Sequence, residues 1–108
     1  MGIEQYAVYW VDLNPTKGAE INKMRPCVVI SPQEMNEYLQ TIIIAPVTNR
    51  GRDGYPTRVK LTDNNISGWI VLDQIRAVDK NRLNNKITSL NENDIAAAKA
   101  ILQEMLVD

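Results

Sequence analysis

Arg25 is the side chain of this sequence best suited to hold a phosphate. A guanidinium is always charged and presents a planar fork of N–H donors that fits phosphate oxygens. It stands directly before Pro26, which fixes the backbone, and it enters the β-branched run Cys27–Ile30, so its base is rigid. It closes the loop of the stretch Trp10–Ser31, WVDLNPTKGAEINKMRPCVVIS, which also holds Lys17 and Glu20. Such a loop places an arginine and a carboxylate at the mouth of a buried strand. The alternative is a structural arginine paired with a carboxylate such as Glu20.

Other residues could share that chemistry. Thr48 ends the run Ile42–Val47, where a hydroxyl can donate to a phosphate oxygen; threonine is also simply at home in strands. The loop Asn49–Pro56, NRGRDGYP, supplies Asn49, Arg50, Arg52 and Tyr55. Its arginines attract phosphates, its glycines allow close approach, and Tyr55 can stack on a base. An exposed turn with solubilising charges is the other reading. Asp73, Gln74 and Arg76 interrupt the apolar run Trp69–Val78. If that run is one strand, Asp73 and Ile75 share one face and Gln74 and Arg76 the other. Gln74 could then read a base edge, or the strand could be an edge with one wet face.

Two exclusions narrow the chemistry. The chain has no histidine, so the commonest general acid/base and the commonest metal ligand are both missing. Cys27 is the single cysteine, which rules out an internal disulfide and points to a reducing compartment. Within its β-branched run it reads as a small core hydrophobe rather than a nucleophile.

The elements that must position these residues are mostly short strands. Tyr6–Leu13 alternates around Val8 and Trp10 and is broken by Asn14-Pro15 and Gly18. Cys27–Ile30 and Ile42–Val47 read as buried strands. Between them Gln33–Leu39 reads as a short segment with Ser31 as N-cap and Pro32 at the first helical position. Thr57, Val59 and Leu61 alternate with Arg58 and Lys60, giving a strand with a basic outer face. From Asn91 the period changes: Ile95, Ala98, Leu102 and Met105 share a helical face with Ile101 beside them. Asn91 can cap this helix, Asp94 can reach back, and Leu90 can staple onto Ile95. The expected architecture is mainly β: a compact, strongly bent antiparallel sheet or small barrel with the last helix packed on it.

With 108 residues the chain is expected to form one domain, 1–108. A hydrophobic content of 44% with 23% charged residues describes a globular rather than a disordered chain. No apolar run approaches the roughly 20 residues needed to span a bilayer, and the N-terminus lacks the pattern of a signal peptide. Position 6 is Tyr, which argues against myristoylation at Gly2. A cytoplasmic location is expected. The net charge of −1 does not announce a nucleic-acid binder. Eleven of the basic residues nevertheless precede Thr88, and the last segment carries Glu92, Asp94, Glu104 and Asp108 against Lys99. A basic body with an acidic final helix is compatible with local phosphate binding, and equally with a mixed solubilising surface.

Five segments together resemble the MazF/PemK (Kid) family of toxin endoribonucleases: Trp10–Glu20, Arg25–Ser31, Ile42–Thr48, Asp53–Leu61 and Leu72–Leu83. The first two, at their relative spacing, are the most specific. The resemblance implies an SH3-like, CcdB–MazF-type barrel with helices and a homodimer. It also implies the toxin half of a toxin–antitoxin pair, with a cognate antitoxin as partner. The activity implied is cleavage of single-stranded RNA at short motifs with no metal or other cofactor. In that reaction a 2′-hydroxyl attacks the adjacent phosphate and leaves 2′,3′-cyclic phosphate and 5′-hydroxyl ends.

Carried over by position, Arg25 matches the phosphate-stabilising arginine, Thr48 the threonine at the scissile phosphate, and Glu20 a glutamate implicated in activity. Gln74 matches an RNA-contacting glutamine, and Asp73 the proposed base of the Kid branch. Glu20 is the first choice of base here and Asp73 the second. The sequence also departs from the family. Ala19 stands where Kid-like members have histidine, Val71 where they have arginine, Ile21 where glutamine is usual and Lys23 where glycine is usual. Tyr6-Ala7 replaces a Gly-Asp near the first strand. The Kid-type acid/base scheme therefore does not transfer intact, and the Arg25/Thr48 branch fits better. Two other readings share the fold: a member that binds RNA or a peptide without cutting, and a CcdB-like gyrase poison. The ending MLVD, with no terminal tryptophan, argues against the last.

Overall fold

A computed structural model describes residues 2–13, 24–51 and 56–107. Seven strands and two helices make up the described fold: β1 (Ala7–Asp12), β2 (Met24–Val29), α1 (Gln33–Tyr38), β3 (Thr41–Thr48), β4 (Arg58–Lys60), β5 (Trp69–Val71), β6 (Arg76–Asp79), β7 (Leu83–Ser89) and α2 (Glu92–Leu106). All strand pairings are antiparallel, in the order β4-β5-β3-β2-β1-β7, with β6 also on β3.

The strand β3 organises the sheet. One of its edges bonds β2 from Ile44 to Pro46. The other bonds β6 from Thr41 to Ile44 and then β5 at Val47 and Thr48. It therefore belongs to two sheets at once, which explains why Ile42, Ile44, Ala45 and Val47 are all buried. Period-two alternation sorts the central strands onto two cores. Val8, Val28, Ala45 and Val47 point to one, with Ile70, Leu72 and Ala98. Tyr9, Val11, Cys27, Val29, Ile42, Ile44 and Val78 point to the other.

The final helix is as its periodicity predicts. Ile95, Ile101, Leu102 and Met105 pack on the first core around Ala98. The Asn91 side chain accepts from Asp94 N at 2.8 Å, which satisfies one of the free amides of the first turn. Asp94 does not reach back to the cap. Its carboxylate is buried and accepts instead from Thr62 N (3.0 Å) and Thr62 Oγ1 (2.9 Å), tying the helix to the loop after β4.

Three other expectations change. Ser31 is not an N-cap: the cap position is Pro32, and Ser31 Oγ donates to Asn36 Oδ1 (2.5 Å) and accepts from Ile43 N (3.1 Å). The hydroxyl is drawn to the neighbouring strand because Ser31 is buried against it. The run Trp69–Val78 is not one strand. A 3₁₀ turn over Leu72–Gln74 separates β5 from β6, because the two must meet different stretches of β3. Strand β7, which the sequence reading did not anticipate, has no clean alternation and is mostly exposed on one edge of the sheet.

Tyr6 has φ +64, a left-handed backbone unusual for a residue with a Cβ. Two bonds hold it there: Tyr6 N donates to Val29 O (2.7 Å), and Leu90 N donates to Tyr6 O (2.9 Å).

Candidate active site

Arg25 is the second residue of β2, with Val11 of β1 as its cross-strand neighbour. On the other side, β2 pairs with β3 through Cys27↔Pro46 and Val28↔Ala45. The same register continued by two residues sets Arg25 opposite Thr48. Arg25 and Cys27 share one face of β2, and Pro46 and Thr48 the matching face of β3. Arg76 pairs with Ile44 and lies on that face as well. The sheet thus gathers Arg25, Thr48 and Arg76, which lie far apart in the sequence, beside the second core.

The electrostatics agree with that placement. The Cys27 thiol is pushed up to about 12 by burial, and the Arg25 and Arg76 guanidiniums pull it partway down. Both cations are thus close enough to act on the same sulfur. Its Sγ donates to Arg25 O (3.6 Å). At neutral pH this thiol is protonated and inert, as the core reading expects.

Arg25 Nε is shut off from water and has no hydrogen-bond partner among the described residues. Buried N–H groups are nearly always paired, because leaving one unpaired costs roughly 1–3 kcal/mol. A buried donor with no partner among the described residues, on an always-charged group, leaves a hydrogen bond that an anion can take up. Thr48 is buried, and its Oγ1 accepts from Arg50 N at 3.1 Å, leaving its own proton to donate. Gly68, at φ +122, backs this strand end so closely that a Cβ would lie 2.4 Å from Thr48 O. Only glycine allows β5 to enter there.

The remaining candidates divide. Asn49 and Arg50 are exposed just beyond Thr48, and Gln74 is half-buried at the end of the 3₁₀ turn. Asp73 occupies that turn rather than a strand face. Its Oδ1 accepts from Thr57 Oγ1 (3.0 Å) and lies 3.7 Å from Arg58 Nε. Lys17, Glu20, Arg52 and Tyr55 lie outside the described residues, as do Ala19 and Ile21. No group of three His, Cys, Asp or Glu side chains suited to a metal occurs among the described residues.

The sequence reading passed over Trp69. Its backbone pairs with Thr48, and its ring is in contact with Gly51 and near the Lys60 ammonium. The dipeptide Gly68-Trp69 was the available signal: a glycine before a large aromatic at a strand start marks a close backbone approach.

A bent antiparallel sheet of seven strands with a C-terminal helix packed on it is the fold of a known class. The family model described as the PemK-like, MazF-like toxin of type II toxin–antitoxin systems matches residues 4–106, and the chain belongs to that family. It is a toxin endoribonuclease of the MazF type. It is 38% identical over 90 residues to the endoribonuclease MazF of Staphylococcus saprophyticus, covering 79% of this chain and 75% of that one. The crystal structure of MazF from Deinococcus radiodurans superposes with a TM-score of 0.86 at 26% identity, over 98% of this chain and 97% of that one. The same organism's MazE–MazF structure (Form-II) shares the fold with a TM-score of 0.81 at 23% identity, over 99% and 97%.

Proposed function

We propose that this chain acts as one domain, residues 1–108, and cleaves single-stranded RNA at a short sequence motif without a metal. The observation that carries the reading is the buried Nε of Arg25, which has no partner among the described residues, on the same sheet face as Thr48. In the proposed reaction the ribose 2′-hydroxyl attacks the adjacent phosphorus, and the P–O5′ bond breaks. A base takes the 2′ proton, and the departing 5′ oxygen gains one. The products are a 2′,3′-cyclic phosphate and a 5′-hydroxyl end.

In this scheme Arg25 neutralises the pentacoordinate phosphate and protonates the leaving oxygen. Thr48 donates its hydroxyl to a non-bridging oxygen. A preorganised donor at developing charge is worth about 3–4 kcal/mol. Glu20 is the proposed base; the Asp73 carboxylate is already engaged by Thr57 and Arg58. Lys17, Asn49, Arg50, Arg52, Tyr55, Gln74 and Arg76 are proposed to hold and read the flanking nucleotides.

The proposed working form is a cytoplasmic homodimer with a small cognate antitoxin. No helix among the described residues is long and apolar enough to cross a membrane. An acidic antitoxin segment laid over Arg25 and Arg76 would compete with RNA for the same cations.

The test is cleavage of mixed single-stranded RNA by the purified chain, with the new 5′-hydroxyl ends sequenced. Wild type should give ends that share a motif. Arg25→Ala should lower kcat by roughly 10²–10³-fold while keeping the native circular dichroism spectrum. A folded Arg25→Ala protein that cuts at the wild-type rate sinks the assignment. RNA binding with no cleavage products would indicate a binding protein instead.

A further inference from the structure

We propose that Trp69 and Asp73 are positioning residues: from one short segment they hold Gly51 and Thr57 in place, and so fix how RNA seats beside Arg25 and Thr48. This rests on the ribonuclease reading and assigns Asp73 a task other than proton transfer.

On one side, Gly51 lies flat against the Trp69 indole. A Cβ at position 51 would fall 2.4 Å from Trp69 Cδ2, 2.6 Å from Cε3 and 2.7 Å from Cγ. The indole itself is fixed, since Trp69 pairs with Thr48 on one strand and Lys60 on another. The Lys60 ammonium also sits 5.8 Å from its ring centroid. On the other side, Thr57 is bound twice. Its hydroxyl donates to Asp73 Oδ1 at 3.0 Å, and its carbonyl accepts from Leu72 N at 3.1 Å. Arg58 Nε approaches the same Asp73 oxygen at 3.7 Å.

The consequence reaches the site through Arg50. Its N–H is held by Thr48 Oγ1, and its next neighbour is the glycine on the indole. Moving Gly51 therefore moves Arg50 and disturbs the Thr48 hydroxyl. Asp73, meanwhile, uses one oxygen as the acceptor for a hydroxyl and the counter-charge for a guanidinium. That is the arrangement of an anchor, whereas a base needs its lone pair turned toward substrate.

The experiment uses the full chain and two readouts. Asp73→Asn keeps an acceptor oxygen for Thr57 but cannot serve as a base, so its kcat and the pH profile of kcat should match wild type. Thr57→Val should raise KM for RNA by about tenfold with kcat held, as expected when groups must be ordered on binding, whereas Gly51→Ala, which disturbs the Thr48 hydroxyl, should lower kcat as well. In a Trp69→Val background, Gly51→Ala should have no further effect, because the ring it displaces is gone. Limited trypsin digestion should cut after Arg50 faster in Thr57→Val and Gly51→Ala than in wild type or Asp73→Asn.

A 10²-fold loss of kcat in Asp73→Asn with a shifted pH limb would make it the base and overturn the proposal. Equal trypsin rates in all four proteins would overturn the anchoring. If the wild type cuts no RNA, the ribonuclease reading fails, and the digestion still judges the anchors.

Discussion

At the scale of single residues, the site carries a cost that the apo protein bears. Arg25 Nε is buried with no hydrogen-bond partner among the described residues, so a side chain that fills the same space without a charge should relieve the fold. Arg25→Met is expected to raise stability by about 1–3 kcal/mol, which in a domain of this size lifts the melting temperature by at least roughly 4 °C. Thermal melts with parallel RNA assays check this; a melting temperature at or below wild type would show that Arg25 is satisfied after all. Cys27 gives a second prediction. Its unfolded thiol loses its proton near 9 and the folded one only at about 12. Unfolding thus releases a proton in that interval, and stability must fall as pH rises from about 9 toward 12. Cys27→Ala should flatten the slope in urea titrations at pH 8 and pH 10. Arg25 and Thr48 were legible in the sequence because each sits where a strand begins or ends, and strand ends are readable from β-branched runs. The part played by Asp73 was not. Its partners Thr57 and Arg58 are a strand away, and only the register shows that they meet.

At the scale of elements, legibility followed hydrophobic contrast. The helix α2 declares itself through a clean apolar stripe and a capping asparagine, and both are present. Strand β7, LNNKITS, offers polar residues on both faces, since as an edge it buries little, and alternation has nothing to mark. Asp94 could be read as half of a capping box; its real partner, Thr62, is 32 residues away. That difference has a measurable consequence. A capping partner would cost a few tenths to one kcal/mol to remove, whereas Asp94→Ala should cost about 1–3 kcal/mol because it removes two hydrogen bonds to a buried carboxylate. Urea unfolding distinguishes the two, and a loss under about 0.5 kcal/mol would return Asp94 to the minor role. Tyr6 belongs here too. It trades left-handed strain, about 1–2 kcal/mol, for a ring packed on the first core and near Lys99.

At the scale of the molecule, the net charge of −1 is a poor guide to the surface that matters. Two guanidiniums share one sheet face, while Glu92, Glu104 and the buried Asp94 belong to α2. The helix α2 is net acidic, but the strand that carries Arg76 also carries Asp79, so a phosphate-rich ligand is drawn by the local pair of guanidiniums rather than by a field of the whole molecule. The acidic character of α2 was visible in the linear order of charges. What sequence alone did not contain was the pairing that brings the two arginines from β2 and β6 to a single strand, β3.

The pairing of β1 with β7 sets a schedule for synthesis. Val8 meets Thr88 and Val11 meets Leu83, so the first strand made waits for nearly the last. The free edge of β3 likewise waits for β5 and β6. Arg25 and Thr48 leave the ribosome early, but the frame that aligns them does not close until most of the chain has emerged.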